Sequence, residues 1–191
     1  MATSIPELVR RFTEGDSAAF TELVGRFQQK LYYLAYQILG NHLDADEVVQ
    51  ESFVRVYRRR EELSHVTNFT SFLLRIATNY AIDLLRKRKG HGQLSDDPSA
   101  LPGEIQIELA QQVQTPGDLY ENKVTLTEIW RALDTLPPRQ RITAILHDVE
   151  GYSKSEIATI LECPEATVRS NLHIARTKLK KILKRRLSKR K

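Results

Sequence analysis

Apolar residues recur along this chain at intervals of three and four, the spacing that lines one face of a helix. Phe20, Leu23, Val24, Phe27, Leu31, Leu34, Ala35 and Ile38 trace one such stripe. Asp16 stands where an N-cap is needed before it, and Gly40 where a left-handed stop belongs after it. A shorter helix precedes, from a capping box in Ser4-Ile5-Pro6-Glu7 to about Glu14. A third is expected from Asp44, with Glu47 as box partner, burying Val49, Phe53 and either Val56 or Tyr57. After a loop over residues 61–68 a fourth helix buries Leu73, Ile76, Ala77, Tyr80 and Leu84, widened by Leu74, Ala81 and Leu85. The pattern resumes with Leu126, Ile129, Trp130, Leu133 and Leu136, stopped by Pro137-Pro138. Ile142, Ile145, Leu146 and Val149 form the next stripe, closed by Glu150-Gly151. Strand-like alternation is scarce, so the expected fold is all-α: two small helical domains, residues 1–89 and 119–191, joined by a linker over 90–118.

The stretch from Gly151 to Leu179 carries the most specific pattern. Ser153 with Glu156 makes a capping box, and Ile157, Ala158, Ile160 and Leu161 follow at helical spacing. Cys163-Pro164 interrupts, and a second helix from Glu165 turns Val168, Leu172, Ala175 and Leu179 inward. Its other side carries Arg169, Ser170, His173, Arg176 and Thr177. A polar row of that kind, held by a short partner helix across a turn, is a helix-turn-helix suited to a DNA major groove.

Charge placement sharpens this. The net formal charge is only +5, from 29 Lys and Arg against 24 Asp and Glu. Yet ten of the cations fall between Ile174 and Lys191, a span without an acid. The linker is the reverse: Asp96, Asp97, Glu104, Glu108 and Asp118, with no Lys or Arg, among Gly and Pro. The third helix opens with Asp44, Asp46, Glu47, Gln50 and Glu51. Those acids suit a helix N-terminus through its dipole, and equally a docking face for a basic partner. The fourth helix shows a polar row of Arg75, Asn79, Asp83 and Arg86 or Lys87, and ends in four successive cations fit for phosphate. A single cysteine, Cys163, excludes an internal disulfide and a multi-cysteine zinc site. No cofactor or metal is expected. The N-terminus lacks a signal-peptide core and the most apolar run, residues 31–39, is too short for a bilayer, so the expected location is cytoplasmic.

From about Phe20 to Leu183 the chain resembles a bacterial RNA polymerase sigma factor of the sigma-70 family, extracytoplasmic-function kind. The resemblance rests on DADEVVQESFVRVYRR (44–59), FTSFLLRIATNYAIDLLRKRK (69–89), LDTLPPRQR (133–141), EGYSKSEIA (150–158) and TVRSNLHIARTKL (167–179). It implies a non-enzymatic initiation factor whose first domain, conserved region two, grips the polymerase clamp and melts the minus-ten element. Its last domain, region four, would bind the minus-thirty-five element and the polymerase flap. By the same resemblance Asp46, Glu47, Gln50 and Glu51 dock on core polymerase, which favours docking over mere helix stabilisation. Arg75, Asn79, Asp83, Arg86 and Lys87 would serve minus-ten DNA, with a base held out of the stack near Asn79. Arg169, Ser170, His173 and Arg176 would read the minus-thirty-five element. The acidic linker would run toward the RNA path, and an anti-sigma factor is admitted as a further partner.

The chain departs from the family pattern at four positions. Phe72 stands where Trp is frequent, Asn171 and Ile174 where Arg is frequent, and Glu162 at a turn position commonly Gly. Two other readings compete. A conventional helix-turn-helix regulator accounts for the C-terminal half but not for the acidic helix followed by Arg75, Asn79 and RKRK. The His147-Asp148 dipeptide suggests a metal phosphohydrolase, yet His42, His65, His91 and His173 show no supporting spacing.

Overall fold

The computed structural model describes residues 3–90, 129 and 131–188. Residues 91–118 of the acidic linker, Leu126 and Trp130 of the next expected helix, and the last three basic residues lie outside the described residues. Among the described residues every regular element is helical.

Four helices build the N-terminal part: α1 (Ile5–Thr13), α2 (Ser17–Leu39), α3 (His42–Arg58) and α4 (Phe69–Gly90). Asp16 caps α2 as expected, its carboxylate accepting from the Ala18 and Ala19 amides at 2.9 and 3.2 Å. Gly40 ends that helix at φ +73°, a left-handed conformation glycine adopts without strain. Leu23, Leu31, Leu34 and Ile38 are buried against α1, α3 and α4.

Three expectations need correction. Helix α3 begins at His42 rather than Asp44, because Asn41 is the cap, accepting from the Asp44 amide at 2.8 Å. Asp44 therefore lies in the first turn, where its carboxylate pairs with Arg88 of α4. Glu7 does not complete a box: Ser4 accepts from its amide at 3.4 Å, while its carboxylate accepts from Arg10 at 2.7 and 3.0 Å. The segment 61–68 is not simply a loop, since Arg60–His65 forms a 3-10 helix that buries Leu63. Tyr57 is exposed, and Val48 and Val56 face the core of α3.

In the C-terminal part residues 131–134 are helical and Pro138 opens α5 (Pro138–Ala144). A wider π turn, Ile145–Val149, continues it and ends at Gly151, φ +77°. Then come α6 (Lys154–Ile160) and α7 (Glu165–Ser188). The Ser153–Glu156 capping box is fully formed: Ser153 Oγ accepts from the Glu156 amide at 3.2 Å and the Glu156 carboxylate from the Ser153 amide at 2.8 Å. Val168, Leu172 and Ala175 are buried where α7 packs on α5 and α6.

The two parts touch. Helix α4 packs against α5 and α6, and Ile142, Ile145, Ile157, Ile160 and Leu161 share one apolar cluster with Leu73, Leu74 and Ile76. Arg141, only 4% exposed, pairs with Asp134 and lies beside the Gly40 turn, where a side chain would meet its guanidinium at 4.0 Å.

Candidate nucleic-acid and polymerase interfaces

The α7 row stands out to solvent. Its inward stripe fixes the helix, so Arg169, Ser170, His173, Arg176 and Thr177 are all exposed on the opposite side. Arg169, His173, Arg176 and Thr177, with Lys154 and Lys180, line one open groove floored by Leu172. Lys154 opens α6 directly after the Ser153 cap; sequence reasoning missed it because a lone Lys at a helix start has no pattern. Arg169 pairs with Glu165 one turn back at 3.4 Å, both substantially exposed. Arg176 donates two hydrogen bonds to the Asp148 carboxylate, one at 3.2 Å, and this partner holds its guanidinium protonated more firmly than usual. Asp148 is thereby a positioning group for the row. The His147-Asp148 dipeptide gathers no metal set: among the described residues no three His, Cys, Asp or Glu side chains come together to hold an ion.

On α4 the expected row is present but unequally open. Asp83, Arg86 and Lys87 are exposed, and Asp83 pairs with Arg86 at 3.8 Å. Asn79 is half-buried. Arg75 lies 5.1 Å over the Phe72 ring and its guanidinium pairs with Glu162, in the turn between α6 and α7. Phe72 itself is buried, so the ring at this position supports Arg75 and the core. Glu162 adopts φ +48°, a left-handed conformation in keeping with a turn position that is commonly Gly.

The acidic side of α3 is a continuous strip. Asp46, Glu47 and Gln50 are exposed and Glu51 half-buried, with Leu43 at 83% and Val54 at 41% exposure along the same side. The strip is tied to α4 through Tyr80. Tyr80 donates to Glu47, Arg55 lies 4.8 Å over the Tyr80 ring, and Arg55 pairs with Glu51 at 2.7 Å. The bond to Glu47 pushes the Tyr80 hydroxyl up to about 12, so it stays a donor at all ordinary pH. Two side-chain contacts, Glu47 to Tyr80 and Arg55 to Tyr80, thus join the acidic strip to α4.

The chain matches the family models described as "Sigma-70 region 2", over residues 23–91, and "Sigma-70, region 4", over residues 126–179. It is 30% identical over 188 residues to the ECF RNA polymerase sigma factor SigW of Bacillus subtilis, covering 96% of this chain and 99% of that one. It is 33% identical over 172 residues to the ECF RNA polymerase sigma-E factor of Escherichia coli K12, covering 88% of each. Two solved structures share the fold at TM-score 0.63: CnrH in complex with the cytosolic domain of CnrY, 23% identical over 93% of this chain and 95% of that chain, and sigma factor RpoE in complex with the anti-sigma factor NepR from Bartonella quintana, 22% identical over 86% and 96%.

Proposed function

From the premise that this chain belongs to the extracytoplasmic-function sigma factors of the sigma-70 family, and so serves promoter-specific transcription initiation, we propose how its residues divide the work. Residues 1–89 are the module that grips core polymerase and opens the minus-ten element. Residues 90–118 are an acidic linker. Residues 119–191 bind the minus-thirty-five element, with the basic tail on phosphates. The protein acts without catalysing a reaction of its own, in the cytoplasm where polymerase works.

The observation that carries this reading is the opposed pair of faces on the first module: an acidic strip on α3 and a cationic, Asn-bearing row on α4, joined through Glu47 and Tyr80. Energetics require such a pair. Opening about ten base pairs costs on the order of 14 kcal/mol, at about 1.4 kcal/mol per stacked step. Stacking a base on an aromatic side chain returns only about 1–3 kcal/mol. A chain of 22.0 kDa cannot hold a bubble open by itself. Asp46, Glu47, Gln50 and Glu51 recruit the larger machine, whose surface supplies the remainder. Arg75, Asp83, Arg86 and Lys87 hold the backbone while Asn79 accepts an extruded base, so unstacking is recompensed only at the right sequence. Arg169, Ser170, His173 and Arg176, with Lys154 and Lys180 beside them, read and grip the upstream element. An anti-sigma factor is a fitting further partner, as the sigma factor RpoE of like fold was solved with the anti-sigma factor NepR bound.

Asn79→Ala tests the assignment. It should reduce thymine reactivity to permanganate in the open complex several-fold while duplex promoter binding by the holoenzyme stays within about twofold. Unchanged permanganate reactivity contradicts the role given to Asn79.

A further inference from the structure

Helix α7 meets solvent with two unlike flanks. Successive residues turn by about 100°, so Ile174 lies about 40° from Ser170 and about 60° from Thr177, but about 140° from Arg169. The Arg169 flank is cationic: Arg169, Arg176 and Lys180, with Lys154 of α6, line the open groove. The Ile174 flank is uncharged through Thr167, Ser170, Asn171, Ile174 and Thr177. Thr177 commits its hydroxyl proton to the His173 carbonyl at 2.8 Å. Lys178, the next cation along, donates to Gln140 of α5 at 3.1 Å. Ile174 itself has no structural duty. It is 36% exposed and belongs to neither apolar cluster, whereas Leu179, Ile182 and Leu183 further along α7 are half-buried. Isoleucine is also a poorer helix former than Ala, Lys or Arg. What it offers is a fixed apolar surface, because β-branching holds its χ1 in one rotamer on a helix and little freedom is lost on contact. In a major groove the apolar feature that such a surface fits is the C5-methyl group of thymine.

We propose that Ile174 reads a thymine methyl group in the upstream element: Arg169 and Arg176 hold the row on the duplex from one flank, and Ile174 packs on the methyl from the other. This rests on the assignment of the α7 row to minus-thirty-five DNA made above. The contact is uncharged, so it favours thymine at one position without adding attraction for phosphate. Its worth is that of one methyl group taken out of water, about fourfold in affinity.

The test uses the full chain assembled with core RNA polymerase. A duplex pool randomised over the upstream element is selected for binding. Each thymine of the enriched element is then replaced in turn by deoxyuridine, which pairs identically and lacks only the methyl. Competition binding compares the parent with Ile174→Ala and Ile174→Arg, and thermal unfolding reads their integrity; two variants of opposite character guard against a loss of fold in either. The expected result is one thymine whose replacement weakens the parent about fourfold and leaves both variants unaffected. Ile174→Ala should bind the all-thymine duplex about fourfold more weakly than the parent, with an unchanged unfolding midpoint. An element without thymine, or one in which deoxyuridine is neutral at every position, overturns the proposal. A penalty that persists in both variants also overturns it, because another residue then reads the methyl. In each of these cases Arg169→Ala still weakening the element leaves the assignment of α7 standing and removes only the role of Ile174. If no upstream element is enriched, the assignment of α7 fails and the role of Ile174 fails with it.

Discussion

Each arginine of the polar rows on α4 and α7 has an acidic neighbour, and the neighbours differ in what they permit. Glu165, one turn before Arg169 on the same exposed helix face, forms a solvated pair that a phosphate or base can displace at little cost. Asp148 reaches Arg176 from a different element, with two hydrogen bonds, and aims it. Arg169 is therefore the more available reader. Arg169→Ala should weaken binding of the upstream element by about 5- to 150-fold, the range for losing a bidentate base contact of about 1–3 kcal/mol. Competition binding to promoter fragments with and without that element checks it; equal loss on both fragments would make Arg169 a phosphate contact with no part in sequence choice. The departures at Asn171 and Ile174 fit the same side: Ile174 is 36% exposed, an apolar group where a cation would have added phosphate attraction.

At the scale of elements, caps and stripes decided what could be read. Asp16, Gly40 and the Ser153–Glu156 box were legible because each requirement is local and chemical. The start of α3 was not, because Asn41 and Asp44 are both good caps and Leu43, which suggests an apolar start inside, is in fact 83% exposed. The 3-10 helix was missed because a three-residue turn that buries one leucine leaves no periodic signature. Two predictions belong here. On α3, Asp46→Lys places a cation on the exposed acidic strip and should weaken association with core polymerase about tenfold at low salt, less at high salt. A competition assay against another sigma factor across ionic strengths reads this, and a salt-independent effect contradicts the electrostatic docking. On α2, hydrogen bonds from Arg11 and from the Ala19 and Ala18 amides hold the Asp16 carboxyl below its ordinary value. Because the folded value is the lower one, the stabilisation is fully present above the unfolded carboxylate range and is lost as pH falls from there through the lower folded value. Asn caps equally well without titrating, so Asp16→Asn should keep most stability at pH 7 and flatten the decline between about pH 5 and 3. Urea unfolding at several pH values tests that, and an unchanged slope refutes it.

For the whole molecule, sequence spacing pointed to two helical modules but not to how they meet. Arg75 and Glu162 are separated by the linker, and Arg141 looks from sequence like an ordinary helix-surface cation although it is 4% exposed at the seam. Nothing local encodes such contacts; they arise from apolar side chains of α5 and α6 that the second module leaves uncovered on its own. The chain thus carries an acidic strip on α3 and polar, cationic rows on α4 and α7, with α3 and α4 linked through Glu47 and Tyr80. The central claim is that these surfaces together direct polymerase to chosen start sites. Run-off transcription with core RNA polymerase across genomic DNA of the protein's own source measures it directly. The account predicts discrete transcripts whose start points share an upstream and a minus-ten element and vanish when this chain is omitted; initiation at random positions, or none above core enzyme alone, would contradict it.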